Sequence, residues 1–376
     1  KVNSIKGVGA STAAITVNNT DGTCTANITN NLSNRNKLIN GGMTVSQRNG
    51  TSTVTTTTYN IDRWQSMVDG TIGAYNFSQS TDSPNGFGNS YKVDVTTADT
   101  SLASTDAHIF RQKIEGQNLQ DFAKGTSAAK QFALSFYIKT NKTGTYIAEL
   151  FDDDNNRTCS KTYTVSDANW NRYTLTFPAD TSGALTNDNG ASLNVHFWLS
   201  AGSSFSGGSL ASAWESKTDA NRTVGMNVNL ADSTSNEWFI TGVQLEVGSV
   251  ATDFEHRSFG QELQLCKRYY EVLVSGSGKT WGGAAVMYLA NQTHHQCTFV
   301  EKRATPTLDY VSGTNYYRYY GNDSNAHSST LDQFLYVTPR SAGIIANTLS
   351  SNLLAGGAAF SYTTNASAFV AISAEL

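Results

Sequence analysis

The stretch Phe132-Ala-Leu-Ser-Phe-Tyr-Ile138 alternates large apolar side chains with smaller or more polar ones, and this alternation decides the fold class. Successive side chains of a β-strand point to opposite faces of the sheet, so a period of two predicts a strand with one buried face. The stretch Tyr173-Thr-Leu-Thr-Phe177 repeats the pattern. Similar short runs, separated by clusters of Gly, Asn and Asp, predict an all-β protein of sandwich or barrel type.

These runs divide the chain into four segments. Residues 1–36 are short, polar and β-like, and they form an attachment and intertwining segment that a partner subunit or the next domain is expected to cover. Residues 37–257 hold about eight predicted strands, which suit a jelly-roll sandwich. Residues 258–272 carry the apolar stripe of one linking helix, and residues 273–376 form a smaller, β-rich C-terminal head.

Composition narrows the classes of function. Charged residues are 15% of the 376 residues, aromatic residues are 11%, and the formal net charge is −4. The sequence contains no run of lysines and arginines, so we expect no nucleic-acid partner. No apolar stretch approaches the roughly 20 residues of a membrane span, so we expect no membrane insertion. The first ten residues also lack the apolar region of a secretory signal peptide.

Aromatic side chains in polar surroundings are candidate glycan contacts, because sugar rings stack on aromatic faces. Trp214 lies in a Gly- and Ser-rich stretch, and Tyr317-Arg318-Tyr319 belong to a run of tyrosines around one arginine. Some members of that run must be exposed or lie at a subunit contact, since strand neighbours face opposite ways. We predict glycan contacts from Trp214, Trp281, Tyr317, Arg318 and Tyr319, with a trimer interface as the alternative for the tyrosine run. Three tryptophans in alternating apolar contexts are predicted to lie in the core: Trp64, Trp198 and Trp238.

The acidic stretch Asp152-Asp-Asp-Asn-Asn156 places oxygen ligands at alternate positions. Calcium takes six to eight oxygens, often from such loops. Arg157 and Tyr163 stand where an EF-hand needs Gly and Glu, so that motif fails. The main interpretation is a hairpin turn between two strands. The alternative is a structural Ca²⁺ site at Asp152, Asp154 and Asn156, and no other cofactor is expected.

A set of short motifs runs through nearly all of the sequence: Asn34–Met43, Val45–Arg48, Asp62–Trp64, Gln112–Gly116, Ser135–Lys139, Thr143–Tyr146, Thr241–Gly248, Ala251–Arg257, Glu262–Tyr270, and the two ends Lys1–Ile5 and Ala374–Leu376. Together they resemble the tail-fibre and virion-fibre proteins of bacteriophages. This resemblance implies a homotrimer that attaches through its N-terminus to the tail, baseplate or capsid. It also implies a jelly roll similar to carbohydrate-binding modules, a distal head, and binding to host surface polysaccharide.

Virion proteins of this kind assemble in the cytoplasm of the host cell, and the missing secretory signal agrees with that location. The resemblance brings no catalytic residues. The sequence contains no G-x-S-x-G elbow, no H-E-x-x-H motif and no P-loop, so we expect no enzymatic activity. A purely structural head-decorating or collar fibre is one alternative function. A polysaccharide-degrading spike is the other, because a glycosidase needs only two carboxylates about 5–9.5 Å apart.

Overall fold

The computed structural model describes residues 4–6, 8, 15–17, 20, 24–26, 34–55, 58–281, 283–311, 313, 315–320, 326–348 and 355–376. Within these residues, 24 strands, one α-helix and five short 3-10 helices form the regular structure, and the predicted all-β fold class is confirmed. In the same part of the chain, no helix is both long and apolar enough to span a membrane.

The N-terminal segment contains a small antiparallel sheet of three strands: β1 (Ser4–Ile5), β2 (Ile15–Val17) and β3 (Cys24–Ala26). Strands β2 and β3 pair as the two arms of a hairpin, and most of the turn between them lies outside the described residues. The side chain of Ile5 is 58% exposed, so the rest of the chain leaves part of this segment uncovered.

Two antiparallel sheets face each other in a jelly-roll sandwich. Its twelve strands are β4 (Tyr59–Ile61), β5 (Trp64–Asp69), β6 (Ala74–Ser80), β7 (Ser90–Thr97), β8 (Ala107–Glu115), β9 (Phe132–Thr140), β10 (Gly144–Asp152), β11 (Arg157–Val165), β12 (Asn171–Phe177), β13 (Ala191–Ala201), β14 (Glu215–Ser216) and β15 (Glu237–Val247). One sheet has seven strands in the order β14-β11-β10-β13-β8-β5-β4. The other has five strands in the order β12-β9-β15-β7-β6.

The core of the sandwich lies between these sheets. The apolar positions of the 132–138 stretch all enter it, and each fully buried Phe or Leu contributes roughly 1.5–3 kcal/mol to stability. Trp64 stacks on Phe110 with ring centroids 4.9 Å apart, and Trp238 meets the same ring edge-on at 5.6 Å. Both tryptophans are fully buried as predicted. Trp198 is also fully buried, but it lies in a second cluster on the outer side of the seven-stranded sheet.

The linking helix α1 (Phe259–Lys267) is shorter than the predicted 258–272. Its start agrees with the sequence, because Ser258 and Gln261 form a capping box. The helix ends early because Tyr270–Ser275 form strand β16, which pairs with the C-terminal strand β24 (Phe369–Ser373). Pairing with a distant strand therefore overrides the local apolar stripe over the last predicted turn.

The C-terminal head contains a three-stranded sheet and a closed six-stranded barrel. The sheet has the order β16-β24-β19 and the barrel the order β17-β18-β22-β21-β20-β23. The remaining strands are β17 (Ala285–Leu289), β18 (Gln292–Thr298), β19 (Thr307–Tyr310), β20 (Tyr317–Tyr320), β21 (Ala326–Leu335), β22 (Ser341–Thr348) and β23 (Ala358–Thr363).

Buried ion pairs join the jelly roll to the head. Glu115 at the end of β8 accepts two hydrogen bonds of 2.8 Å from the Arg268 guanidinium. Arg63, which is 1% exposed, pairs with Glu375 at 2.6 Å and lies over the ring of Tyr269. Burial alone would raise the pKa of Glu115, but hydrogen bonds from Arg268 and Tyr269 hold it below its ordinary value. The junction is therefore an ionised, hydrogen-bonded contact.

Candidate functional site

Three of the predicted glycan contacts lie inside the head. Trp281, Tyr317 and Tyr319 are at most 2% exposed and belong to the core of the barrel. Trp281 stacks on His295 with centroids 4.5 Å apart, and Tyr317 donates its hydroxyl to the carbonyls of Val311 and Phe369. The prediction is wrong for these three residues, because their rings are covered on both sides and offer no face to a sugar.

The other members of the tyrosine run point outward. Since Tyr317 and Tyr319 face the barrel core, Arg318 and Tyr320 face the outside of strand β20. Tyr320 is 39% exposed and lies 5.4 Å from the ring of Phe360, which is 48% exposed. This pair forms a small aromatic surface on the head. A sugar contact and a subunit contact both remain predictions for the exposed members of the tyrosine run.

Trp214 is half-buried at the rim of the jelly roll. Its ring packs 5.8 Å from Phe132, and its indole N–H donates to the Pro178 carbonyl at 2.9 Å. The ammonium of Lys124 lies 4.9 Å from the ring centroid on another side. The ring therefore packs against the core and a cation, and a glycan contact at its half-buried part stays a prediction.

The acidic stretch forms the predicted hairpin turn between β10 and β11. Asp152 is buried, and its carboxylate accepts hydrogen bonds from the ammonium of Lys124 and from the backbone and side chain of Asn155. Asp154 instead accepts from the backbone of Thr186 at 2.8 Å, and Asn156 has the positive φ of the turn. No group of three His, Cys, Asp or Glu side chains that could hold a metal occurs among the described residues. Asp152 is thus paired with the Lys124 ammonium, and the structural Ca²⁺ site at Asp152, Asp154 and Asn156 stays an untested prediction.

The outer face of the five-stranded sheet carries charges that pair with one another. Asp82 accepts from the Trp170 indole at 2.9 Å and from the Lys139 ammonium at 2.6 Å. Lys92 pairs with Glu237 beside them. These five side chains are therefore hydrogen-bonded or ion-paired with one another.

The outer face of the seven-stranded sheet is built differently, as three parallel rows of side chains that cross the strands. The strand pairings place residues of neighbouring strands side by side in each row. The apolar row consists of Met67, Ile109, Trp198 and Ile147. The central row consists of Gln65, Arg111, His196, Glu149 and Ser160. The third row consists of Lys113, Asn194, Phe151 and Thr158.

The segment 202–226 covers the apolar row. Phe205, Leu210 and Met226 pack on the Trp198 cluster, and the Arg222 guanidinium lies 4.8 Å from the Trp198 ring. Arg222 then reaches the central row, where its Nε and Nη2 donate to the two oxygens of Glu149, each at 2.8 Å. This bidentate pair fixes the covering segment on the sheet.

Glu149 is the centre of a buried polar network. Besides Arg222, it accepts hydrogen bonds from Thr158 at 2.5 Å, the Trp198 indole at 2.9 Å and His196 Nδ1 at 3.0 Å. Burial alone would raise the pKa of Glu149, but the charge of Arg222 and these donors hold it well below its ordinary value. The carboxylate therefore stays ionised.

The network also fixes the state of His196. Burial lowers the pKa of His196, against the pull of Glu149, so the imidazole is neutral near pH 7. Because Nδ1 faces an ionised carboxylate, the proton belongs on Nδ1 and Nε2 is an acceptor. This Nε2 is buried and has no hydrogen-bond partner among the described residues.

Asn194 adds a second acceptor two residues away on the same face. Its amide Nδ2 donates to Asp153 at 2.9 Å, while its Oδ1 is buried without a partner in the described part of the chain. Phe151 is directly opposite Asn194 on β10 and is half-buried, so an apolar ring lies beside the two acceptors. We call His196, Asn194, Phe151, Arg111 and Lys113 the acceptor face.

Sequence reasoning missed the acceptor face, although β13 carries a readable signal. Apart from Trp198, every second position of this strand from 192 to 200 is polar, and all four polar side chains are buried: Ser192, Asn194, His196 and Ser200. Ser192 and Ser200 are hydrogen-bonded to Thr186 and Asn229, so among these four only Asn194 and His196 keep an acceptor without a partner in the described part of the chain. Their partners on β8 and β10 are far away in sequence, so the rows become visible only with the strand register.

No protein-family model matches the chain, and no curated protein matches it. Among solved structures, the enzymatically active domain of tailspike protein 4 from bacteriophage CBA120 matches 56% of the chain at 16% identity with a TM-score of 0.31. This match spans only 21% of that tailspike chain. A family 11 carbohydrate-binding module of a Clostridium thermocellum cellulosomal cellulase matches 55% of this chain and 99% of its own, at 10% identity and a TM-score of 0.27.

The module TmCBM61, whose structure is a complex with β-1,4-galactotriose, matches 57% of this chain and 99% of its own. Its identity is 11% and its TM-score is 0.29. All three TM-scores lie below 0.5, so these likenesses carry no argument about ligand or assembly. The jelly-roll description rests on the strand order given above.

Proposed function

We propose that this chain is a glycan-binding fibre protein of a bacteriophage virion that attaches the particle to polysaccharide on the host surface. The observation that carries the glycan part is the pair of buried, unpartnered acceptors on the acceptor face, His196 Nε2 and Asn194 Oδ1. A buried polar atom without a partner costs roughly 1–3 kcal/mol, and a ligand hydroxyl that donates to it removes that cost. The motif resemblance supports the virion part.

The acceptor face offers what a sugar ring needs. Sugars present several hydroxyl donors around a ring whose C–H groups form an apolar side. His196 Nε2 and Asn194 Oδ1 are themselves buried, so a hydroxyl would reach them only when the half-buried side chains beside them shift, while the half-buried ring of Phe151 would contact the C–H side directly. These side chains lie on paired strands instead of loops, so they are held in place before the ligand arrives.

Binding without hydrolysis is the activity that we propose for this face. A glycosidase needs one carboxylic acid that can give a proton and a second carboxylate near it. Glu149, which contacts His196 directly, is held ionised by Arg222 and is saturated with hydrogen bonds. It is therefore a fixed anion that positions His196 and is unsuited to donate a proton.

Assembly as a homotrimer, with the N-terminal segment bound to a tail, baseplate or capsid protein, completes the proposal. The exposed Ile5 and the small three-stranded sheet support a role in contact with other chains. Three copies would raise the effective concentration of weak single sites. The native mass measures this directly, because a trimer has three times 40.5 kDa.

The proposal is tested with the full chain on an array of bacterial glycans, followed by titration of the bound polymer. Asn194→Ala removes one acceptor and is expected to lower affinity about tenfold, since 1.4 kcal/mol corresponds to a factor of ten. The matched control is Thr174→Ala, an exposed position on the outer face of the five-stranded sheet. Unchanged affinity of Asn194→Ala, at an unchanged melting temperature, would remove this face from the proposal.

The enzymatic alternative has its own readout. The wild-type chain is incubated with the polymer that it binds, and new reducing ends are counted over hours. We expect none. Release of reducing ends would make the protein a depolymerase and would direct attention to other carboxylates. Failure to bind any glycan on the array would favour the purely structural fibre.

A further inference from the structure

Two cations stand side by side on the acceptor face. Arg111 and Lys113 are alternate residues of β8, so both side chains point outward, about 6.5–7 Å apart along the strand. Arg111 is directly opposite His196 on β13, and Lys113 is directly opposite Asn194. The two cations therefore flank the two unpartnered acceptors.

Neither cation forms an ion pair with a carboxylate among the described residues. Arg111 donates its Nε to the amide oxygen of Gln65 at 3.0 Å and makes no ion pair with any residue that the structure describes. The Lys113 ammonium makes neither a hydrogen bond nor an ion pair within the same residues. Burial lowers the pKa of both cations, the charge of Arg111 lowers the pKa of Lys113 further, and the charge of Asp153 offsets part of each shift. Two like charges thus share a partly desolvated surface, which is unfavourable without an anion.

The chain treats its deeply buried cations differently. Within the described ranges, four cations are less than 9% exposed and each pairs with a carboxylate: Arg63 with Glu375, Lys124 with Asp152, Arg222 with Glu149 and Lys302 with Glu271. Each of these deeply buried cations therefore has a counter-charge inside the protein.

The carboxylates around the acceptor face are engaged elsewhere. Glu149 forms an ion pair with Arg222, and Glu115 forms an ion pair with Arg268 across the junction between the jelly roll and the head. Asp153 is exposed, accepts from Asn194, and lies beyond ion-pair distance of Arg111 and Lys113. On the far side, three backbone carbonyls hold Arg303, and its charge also acts on Lys113. The surroundings therefore combine the positive charges of Arg303 and Arg63 with one exposed carboxylate, Asp153, and no described carboxylate lies within ion-pair distance of either cation.

We propose that the ligand of this face is an acidic polysaccharide whose anionic group binds between Arg111 and Lys113. This inference rests on the proposed glycan-binding function. Hydroxyls on the same or the next sugar donate to His196 Nε2 and Asn194 Oδ1. Such a ligand carries a carboxylate or a sulfate next to ring hydroxyls. A planar guanidinium and an ammonium both bind either anionic group well. A neutral polymer would leave the cations unpaired.

The test uses the full chain and three polymers. Polygalacturonate carries carboxylates, carboxyl-reduced polygalacturonate has the same linkage without charge, and dextran sulfate carries sulfate. Calorimetric titration is expected to show binding to at least one charged polymer at least tenfold tighter than to the reduced one. The preference for polygalacturonate or dextran sulfate identifies the anionic group. The difference shrinks at high ionic strength, because exposed charges are screened.

Variants locate the effect. Lys113→Gln and Arg111→Gln are each expected to lower affinity for the charged polymer about tenfold, while affinity for the reduced polymer stays the same. Lys130→Gln is the charge-matched control, since Lys130 is an exposed lysine of the same domain away from this face. Melting temperatures report on folding. Both Gln variants are expected to melt at or above the wild-type temperature, because a repulsion is removed.

Two results would overturn the inference and are distinguishable from failure of the proposed function. Equal affinity for charged and reduced polymers, with both still weakened by Asn194→Ala, would keep glycan binding and reject the acidic ligand. Equal loss of charged-polymer binding in Lys130→Gln and Lys113→Gln would show attraction by net charge alone. Binding to none of the three polymers also rejects the acidic ligand, and the glycan array then decides the proposed function separately.

Discussion

Removal of the Arg222 guanidinium tests the network on which the acceptor face depends. In Arg222→Met the apolar part of the side chain can still cover the Trp198 cluster, but Glu149 loses two hydrogen bonds of 2.8 Å and its counter-charge. Three neutral donors remain around a carboxylate with no solvent exposure. Breaking a buried pair by removing one partner typically costs about 3–5 kcal/mol. That is a large part of a total stability of roughly 5–15 kcal/mol.

The assay is urea unfolding at pH 7 of the wild type, Arg222→Met, Glu149→Gln and the double variant. The amide introduced by Glu149→Gln is neutral and needs no counter-charge, so the double variant is expected to be more stable than the sum of the single changes predicts. We expect a coupling of about 2 kcal/mol, within the range for residues in direct contact. Additive losses, or a loss below about 1 kcal/mol for Arg222→Met, would contradict this account of the pair.

The pH dependence supplies an independent check. The folded-state pKa of Glu149 lies below its unfolded value of about 4.5, so its contribution is complete above that pH and is lost as the pH falls. Without Arg222, burial dominates and raises this pKa, so the variant protonates Glu149 earlier on acidification. The stability deficit of Arg222→Met is therefore expected to shrink between pH 7 and pH 4. A constant deficit would show that Arg222 acts through packing alone.

Three further predictions concern other buried groups. Both ring nitrogens of His108 lack partners within the described residues, and burial lowers its pKa to about 3. The folded protein therefore loses stability as the pH falls from 6.5 towards 3. In unfolding curves measured across this range, His108→Phe should flatten the dependence of stability on pH, and an unchanged slope would contradict this account. The Tyr319 hydroxyl is buried without a partner in the same part of the chain. Tyr319→Phe should therefore leave stability equal or higher and glycan binding unchanged. A loss of binding would indicate that the glycan site lies on the barrel. The Lys124 ammonium pairs with Asp152 where a metal ion would bind, so excess EDTA should leave the melting temperature unchanged. Asp152→Asn should lower the melting temperature, because it removes the buried partner of Lys124. A lower melting temperature in EDTA would support the calcium site instead.

Periodicity predicted the parts of the fold that local sequence determines. The alternation in Phe132–Ile138 describes a strand whose apolar side enters the core, and Trp64 and Trp238 are buried because their neighbours alternate in the same way. The capping box at Ser258 located the start of α1. The end of α1 was misplaced because β24, about a hundred residues later, recruits Tyr270–Ser275 into a sheet. Such long-range pairing leaves no local trace.

The candidate site was harder to predict for a related reason. Aromatic residues in polar company were interpreted as surface groups, yet Trp281, Tyr317 and Tyr319 fill a small barrel whose closure the sequence does not reveal. The acceptor face was missed for the opposite reason, because His196 and Asn194 are polar residues within a strand that is otherwise apolar. Only the register of β8, β13 and β10 shows that they share one surface with two cations that lack a carboxylate partner among the described residues.

The buried network and the acceptor face are parts of one arrangement. A neutral histidine can carry its proton on either ring nitrogen, and only the tautomer with the proton on Nδ1 offers Nε2 as an acceptor. Glu149 selects that tautomer because it is ionised, and it is ionised because Arg222 pairs with it. Arg222 in turn belongs to the segment 202–226 that covers the apolar row. A buried ion pair is weak evidence for stability by itself, since desolvation offsets most of its attraction. Its effect here is on the orientation of an acceptor, so Glu149→Gln should alter affinity for hydroxyl-rich ligands even where it leaves the fold intact.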